Sequence, residues 1–143
     1  MLLRAPEEAW SQLFTAMEEL ARTREFGQWA GGRLERTEDG DEPQSIQMPY
    51  FVYSEDVLEL IQAFYSLGAA VPFAWAKWHG VKTYARGRSL ESAPVADAVR
   101  LLNAILRWDR FFEGGISLML ENGTFFAALA RIRSWYDHER ALL

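Results

Sequence analysis

Apolar residues recur every three or four positions in three separate segments of this chain, a period typical of helices that bury one face. The three apolar stripes comprise Trp10, Leu13, Phe14, Met17, Leu20 and Ala21; Val57, Leu58, Ile61, Phe64 and Tyr65; and Val95, Ala98, Val99, Leu102, Ile105 and Leu106. Two shorter helical patterns follow, at residues 116–120 and 125–136. The spacing predicts a single mainly α domain over residues 1–143, a bundle of about five or six helices with antiparallel neighbours.

Composition and charge narrow the class of protein. With 143 residues, 50% of them hydrophobic, the chain is long enough for one packed core. Its formal net charge of -5 disfavours binding to nucleic acid, which needs a basic surface. No apolar run approaches the roughly 20 residues of a membrane span, and the acidic start has no signal-peptide core. We therefore expect a cytoplasmic protein that does not bind membranes.

Candidate ligands for metals and cofactors are few. Cysteine is absent, which excludes a thiolate metal site, and the two histidines, His79 and His138, form no recognised ligand motif. The chain also lacks the glycine-rich and nucleophile motifs that hold phosphates or activate serine. The sequence predicts no metal and no cofactor.

The helical pattern is interrupted between the first two main helices, at residues 27–53. Glycines and the polar turn at residues 38–43 break the periodicity. The flanking stretches, Gly32–Arg36 and Ser45–Met48, alternate weakly between apolar and polar residues. This pattern predicts a small β-hairpin between Gly27 and Met48, with local disorder as the alternative.

Charged and aromatic residues occur together in the segment Arg107–Gly114, where four charged residues and three aromatic residues occupy eight positions. Asp109 continues the apolar stripe of the preceding helix and should therefore face the core. A buried carboxylate is costly unless it is paired, and Arg107 or Arg110 can supply a bidentate partner. The segment is interpreted as a polar clamp at a helix C-terminus, followed by a sharp turn at the glycine pair.

A functional interpretation of the same segment is also open. Asp109 and Glu113 could be paired catalytic carboxylates, with Arg107 or Arg110 binding an anionic substrate. Such a site would need a pocket beside the carboxylates. The candidate residues that line this pocket are Trp75, Trp78 and Trp108, which could equally belong to the core.

Three segments together resemble the bacterial and phage family called domain of unknown function 6508. They are the run at residues 49–58, Phe73-Ala74-Trp75 with Trp78, and the run at residues 107–114 followed by Glu121-Asn122-Gly123-Thr124. The resemblance covers Pro49–Arg133 and departs from the family at Ala74, where an acidic residue is common. It implies a compact, mainly helical domain of bacterial or mobile-element origin, and it brings no activity, cofactor or catalytic residue.

These observations favour a non-enzymatic protein-interaction domain, such as an accessory or inhibitor protein of phage or prophage type. Interfaces are enriched in tryptophan, tyrosine and arginine, and aromatic residues make up 14% of this chain. The expected partner is a protein, and this partner could also be a second copy of the chain. The alternative is a small enzyme or ligand-binding module built on Asp109 and Glu113 with Arg107 or Arg110.

Overall fold

The computed structural model of the chain describes residues 5–31, 34–35, 45–46 and 48–141. Within these residues the fold is mainly α, with six α-helices and a small antiparallel hairpin between the first two. The predicted fold class is confirmed. The α-helices are α1 (Glu7–Ala21), α2 (Glu55–Ser66), α3 (Gly80–Thr83), α4 (Val95–Trp108), α5 (Gly115–Glu121) and α6 (Thr124–Ala141). The strands are β1 (Gly27–Ala30), β2 (Leu34–Glu35), β3 (Ser45–Ile46) and β4 (Tyr50–Tyr53).

The core lies where α1 and α2 pack together and where α4 packs against α6. Trp10 of α1 is buried and stacks on Tyr136 of α6 with ring centroids 4.5 Å apart, which joins the N-terminal helix to the last one. The largest fully buried side chains come from α1, α2, α4, α6 and the turn after α3: Trp10, Leu13, Leu20, Val57, Leu60, Leu90, Leu101, Leu102, Ile105, Leu129 and Ile132.

Helix α2 buries only part of the stripe that the sequence pattern indicates, and Val57 and Phe64 are buried as predicted. Leu58 and Tyr65 belong to the predicted stripe but are exposed, whereas Leu60 and Ala63 are buried. The helix carries apolar residues around much of its circumference, so periodicity alone leaves its orientation undetermined. Packing against α1 selects the buried face. Ser54 caps the start of α2, since its hydroxyl accepts a hydrogen bond from the amide of Val57 at 3.5 Å.

The hairpin extends beyond its predicted limits. Strands β2 and β3 fall in the two predicted flanks and pair over two residues each. The longer pairing joins β1 to β4, with Gly27 opposite Tyr53 and Ala30 opposite Tyr50, so the second strand lies after Met48. The run Tyr-Phe-Val-Tyr of β4 consists of residues that favour strands, although it shows no alternation of apolar and polar residues. The acidic turn at residues 38–43 lies outside the described residues.

Asn103 anchors the segment between α2 and α3 to helix α4. Its side chain is buried, donates hydrogen bonds to the carbonyls of Ala69 and Val99, and accepts one from the amide of Val71, all at 2.9 Å. A buried amide is stable only when its hydrogen bonds are made. These bonds fix the start of the segment that carries Trp75 and Trp78.

Candidate functional site

The segment Arg107–Gly114 forms the end of α4 and the turn that leads into α5. Asp109 follows the last helical residue with helical backbone angles, and the amide of Phe112 bonds to the carbonyl of Trp108 at 3.0 Å. Gly114 adopts a left-handed conformation, with φ of 76°, which a residue with a Cβ adopts only with strain. The predicted sharp turn is confirmed at Gly114. Gly115 instead begins α5, where its missing side chain leaves room for the indole ring of Trp108.

Asp109 is half-buried and holds strand β4 against the start of α5. Its Oδ1 accepts a hydrogen bond from the Tyr53 hydroxyl and another from the amide of Ile116 at 3.1 Å. The same amide lies 3.1 Å from the Tyr53 oxygen, so three polar groups form one small network. An anionic acceptor strengthens both bonds. The carboxylate thus links the hairpin to the α4–α5 turn.

The predicted pairing of Asp109 with Arg107 or Arg110 is wrong. Among the residues that the structure describes, the ion pairs join Arg100 to Asp97, Arg133 to Glu18 and Arg140 to Glu7. Arg107 is half-buried and Arg110 is exposed. The side-chain partner of Asp109 is Tyr53, which lies 56 residues earlier, a separation at which sequence spacing carries no signal.

Glu113 contacts the same strand as Asp109. Its Oε2 accepts a hydrogen bond from the amide of Phe51 at 3.1 Å, and its side chain is exposed. The two acids of the motif therefore both bond to β4, one through a side chain and one through the backbone. Each carboxylate accepts a hydrogen bond from a group of β4. This supports the interpretation of the segment as a polar clamp, and the element that it holds is the hairpin.

Burial raises the pKa of the Tyr53 hydroxyl well above its ordinary value near 10, and the hydrogen bond to Asp109 raises it further. A phenol with a raised pKa keeps its proton at neutral pH. Tyr53 is consequently a stable hydrogen-bond donor to Asp109. It is poorly suited to act as a general base, since that role needs a pKa near the working pH.

The three tryptophans singled out from the sequence surround one cavity. Trp75, Trp78 and Trp108 line a space of about 320 Å³ between α4 and the turns around α3. The rest of the lining is apolar except for Lys82. The structure brings these three residues together as the pocket hypothesis required.

The charged residues of the segment Arg107–Gly114 do not belong to the described lining of this cavity. Asp109, Glu113, Arg107 and Arg110 do not line it, and the two acids instead face the hairpin. The predicted site is therefore divided into two places. The tryptophans form a pocket, and the carboxylates form contacts within the fold.

A second aromatic feature is a set of exposed rings on the hairpin and at the end of α4. Trp29 and Phe112 line a groove of about 590 Å³, and Phe111 lies outside the lining of that groove. Phe111 is 80% exposed, Trp29 59% and Phe112 48%. The rings are held in place: Phe112 stacks on Trp108 at 4.6 Å, Phe111 stacks on Trp75 at 6.1 Å, and Trp29 packs edge-on against Phe51 at 5.3 Å. We call Trp29, Phe111 and Phe112 the aromatic surface.

Sequence reasoning missed both a part of this surface and one acidic cluster. Trp29 received no role because its position depends on the β1–β4 pairing. Glu19, Asp56 and Glu59 place carboxylate oxygens within 4.8 Å of one another where α1 meets α2. Only the i, i+3 spacing of Asp56 and Glu59 is visible in the sequence, and the third acid comes from the neighbouring helix.

Comparison with known proteins identifies the family and nothing more specific. Among the described residues, no helix combines the length and the hydropathy needed to cross a bilayer. No curated protein and no solved structure is significantly similar to the chain. The model of the Family of unknown function (DUF6508) matches residues 5–138, which extends the resemblance through the N-terminal helix. The chain belongs to this family of unknown function, DUF6508.

Proposed function

We propose that the chain is a non-enzymatic protein-interaction domain that binds its partner through the aromatic surface. The observation that carries the proposal is the exposure of Phe111, whose ring is 80% exposed yet held by stacking on Trp75. Large exposed aromatic rings on a fixed backbone are the side chains that anchor protein interfaces. Binding would remove these rings from water, which is a favourable change of free energy.

The arrangement of the acids supports a non-enzymatic role. Asp109 and Glu113 accept hydrogen bonds from groups of the fold, and Arg107 and Arg110 form no ion pair with them among the described side chains. A catalytic carboxylate must reach a substrate, whereas these two bond to β4. The charge that first suggested catalysis is used to hold the hairpin.

The wider role follows from the family resemblance. We place the domain in the cytoplasm of a bacterium or in a phage or prophage, as an accessory or inhibitor protein. A formal net charge of -5 suits a protein partner with a basic surface better than a phosphate backbone. A second copy of the chain is the alternative partner.

Affinity capture from the organism that encodes the chain tests the proposal. The wild type is compared with Phe111→Ser and with Leu58→Ser, a matched control in which an apolar side chain that is 52% exposed is removed from α2. We expect a protein partner in stoichiometric amount with the wild type and the control, and at least about tenfold less with Phe111→Ser. No stoichiometric partner, or equal recovery with Phe111→Ser, would contradict the proposal.

A second candidate function is a small-molecule binding module at the tryptophan cavity. The convergence of Trp75, Trp78 and Trp108 on one space of about 320 Å³ favours it, because ligand pockets are mostly apolar with a few polar groups. Lys82 would suit an aromatic carboxylate. Titration with benzoate should shift the indole N–H signals of the three tryptophans in NMR spectra. Unchanged signals at millimolar benzoate would count against this candidate.

A further inference from the structure

The β1–β4 hairpin has two outer edges, and the hydrogen-bond pattern shows which groups face them. The amide of Ser54 donates to the carbonyl of Phe26 at 2.8 Å, so this pair is hydrogen-bonded. Bonded and non-bonded pairs alternate in an antiparallel ladder, which makes Trp29–Phe51 a non-bonded pair. Phe51 and Trp29 therefore direct their backbone N–H and C=O groups away from each other, toward the two outer edges.

The two edges differ in what covers them. Glu113 accepts the outward amide of Phe51 and so blocks the edge of β4. On the β1 side, no strand of the described chain pairs beyond Trp29, and the sheet contains β1 and β4 alone. An unpaired edge is a template for another strand, and proteins usually cap the edges that must stay unpaired. Among the described residues, a carboxylate caps one edge and no strand pairs with the other.

A groove lies between the hairpin and α5. Its volume is about 590 Å³, and its lining includes residues of β1 and α5 together with Phe51 of β4 and Glu113. Trp29, Phe112 and Leu118 supply apolar surface to it, and each of these side chains is exposed. The four residues of β1 extend over about 13 Å, enough to pair with a short extended segment.

The charges around the groove are mainly negative. Glu25, Glu113 and Glu121 line it together with a single basic residue, Arg24. Glu25 and Glu121 are exposed and free of ion pairs among the described residues. Complementary charge fixes the register and speeds the association of a docking segment. An occupant with lysine or arginine residues fits this rim.

We propose that an extended, basic segment of a partner protein binds in this groove by adding a third strand to β1. The inference rests on the proposed interaction function and specifies the form of the partner. Backbone bonds to Gly27 and Trp29 would supply affinity, as in other cases of strand addition. Alternate apolar side chains of the segment would face Phe112 and Leu118, and flanking basic residues would face Glu25 and Glu121.

Selection of short peptides from a random displayed library against the full chain tests this inference. We expect the selected peptides to alternate apolar residues with period two and to carry lysine or arginine at the flanks. N-methylation of a peptide amide that faces β1 should weaken binding about tenfold, because one backbone hydrogen bond is lost. N-methylation at the neighbouring position, which faces away from β1, should have a much smaller effect.

Charge reversal supplies a matched pair of variants. Glu121→Lys should weaken the selected peptides about fivefold or more, whereas Glu59→Lys, the same change at an exposed position on α2, should leave their affinity unchanged. Acidic or non-alternating peptides, equal effects of N-methylation at both positions, or no selected peptide would each overturn strand addition. Loss of the captured partner with Phe111→Ser would still support the interaction function, so the two proposals fail separately.

Discussion

Replacing Asp109 by asparagine is the perturbation for which the structure gives the clearest magnitude. The carboxylate accepts two hydrogen bonds, one from the Tyr53 hydroxyl and one from the amide of Ile116. A bond to a charged acceptor contributes about 1.5–3 kcal/mol, and asparagine keeps a neutral oxygen that accepts more weakly. Since Asp109 is half-buried, we expect Asp109→Asn to lower the free energy of unfolding by about 2 kcal/mol.

A double-mutant cycle with Tyr53→Phe assigns that loss to the network. Urea denaturation should show each single variant destabilised by about 1–2 kcal/mol, and the double variant destabilised by about 1 kcal/mol less than their sum. Asp137→Asn, the same change at an exposed position of α6, serves as the control and should stay within about 0.5 kcal/mol of wild type. Additive effects, or an Asp109→Asn variant as stable as the control, would refute the clamp.

Three further perturbations test other parts of the fold. Because the pKa of Tyr53 is raised in the folded state, its contribution to stability is present below about pH 10 and is lost above it, by up to about 1.4 kcal/mol per pH unit. Urea denaturation at several pH values should show a shallower loss in Tyr53→Phe, and an equal slope would contradict the raised pKa. Asn103→Leu leaves the amide of Val71 and the carbonyl of Ala69 without their partner, and should lower the free energy of unfolding by about 2–4 kcal/mol. A Leu variant as stable as wild type in urea would show that these bonds contribute little. Gly114→Ala should cost about 1–2 kcal/mol because of the left-handed backbone angle, and an unchanged thermal midpoint would contradict this reasoning.

The fold class was predictable because it depends on local periodicity. Stripes with a period near 3.6 identify α1, α2 and α4 directly, and the glycines after Phe112 identify the turn into α5. The orientation of α2 was predictable only in part, because Val57 and Phe64 are buried as the stripe indicates, but contact with α1 decides which residues beside them are covered. Leu58 and Tyr65 are exposed for this reason.

The site was predictable in part. The tryptophans were correctly grouped, since Trp75 and Trp78 are close in sequence and Trp108 ends the helix that packs beneath them. The partner of Asp109 was assigned wrongly, to a neighbouring arginine, because proximity in sequence suggested an ion pair. The hydrogen bond from Tyr53 depends on the packing of the hairpin against α4 and α5, which no local pattern encodes.

The segment Arg107–Gly114 combines two kinds of residue with separate roles. Its acids, Asp109 and Glu113, bond to β4 and support the fold. Its phenylalanines, Phe111 and Phe112, are exposed and belong to the proposed binding surface. Dense charge within a core helix end is in this case a structural feature, and the neighbouring aromatic residues are the candidates for function.

Partner capture by Asp109→Asn and Phe111→Ser, at a temperature where both variants are folded, tests this separation most directly. Asp109→Asn should unfold at lower urea concentration yet recover the partner at the wild-type level. Phe111→Ser should match the stability of wild type, within about 0.5 kcal/mol, and lose the partner. The opposite result, a folded Asp109→Asn variant that fails to bind while Phe111→Ser binds normally, would make the carboxylate the site and would contradict the clamp.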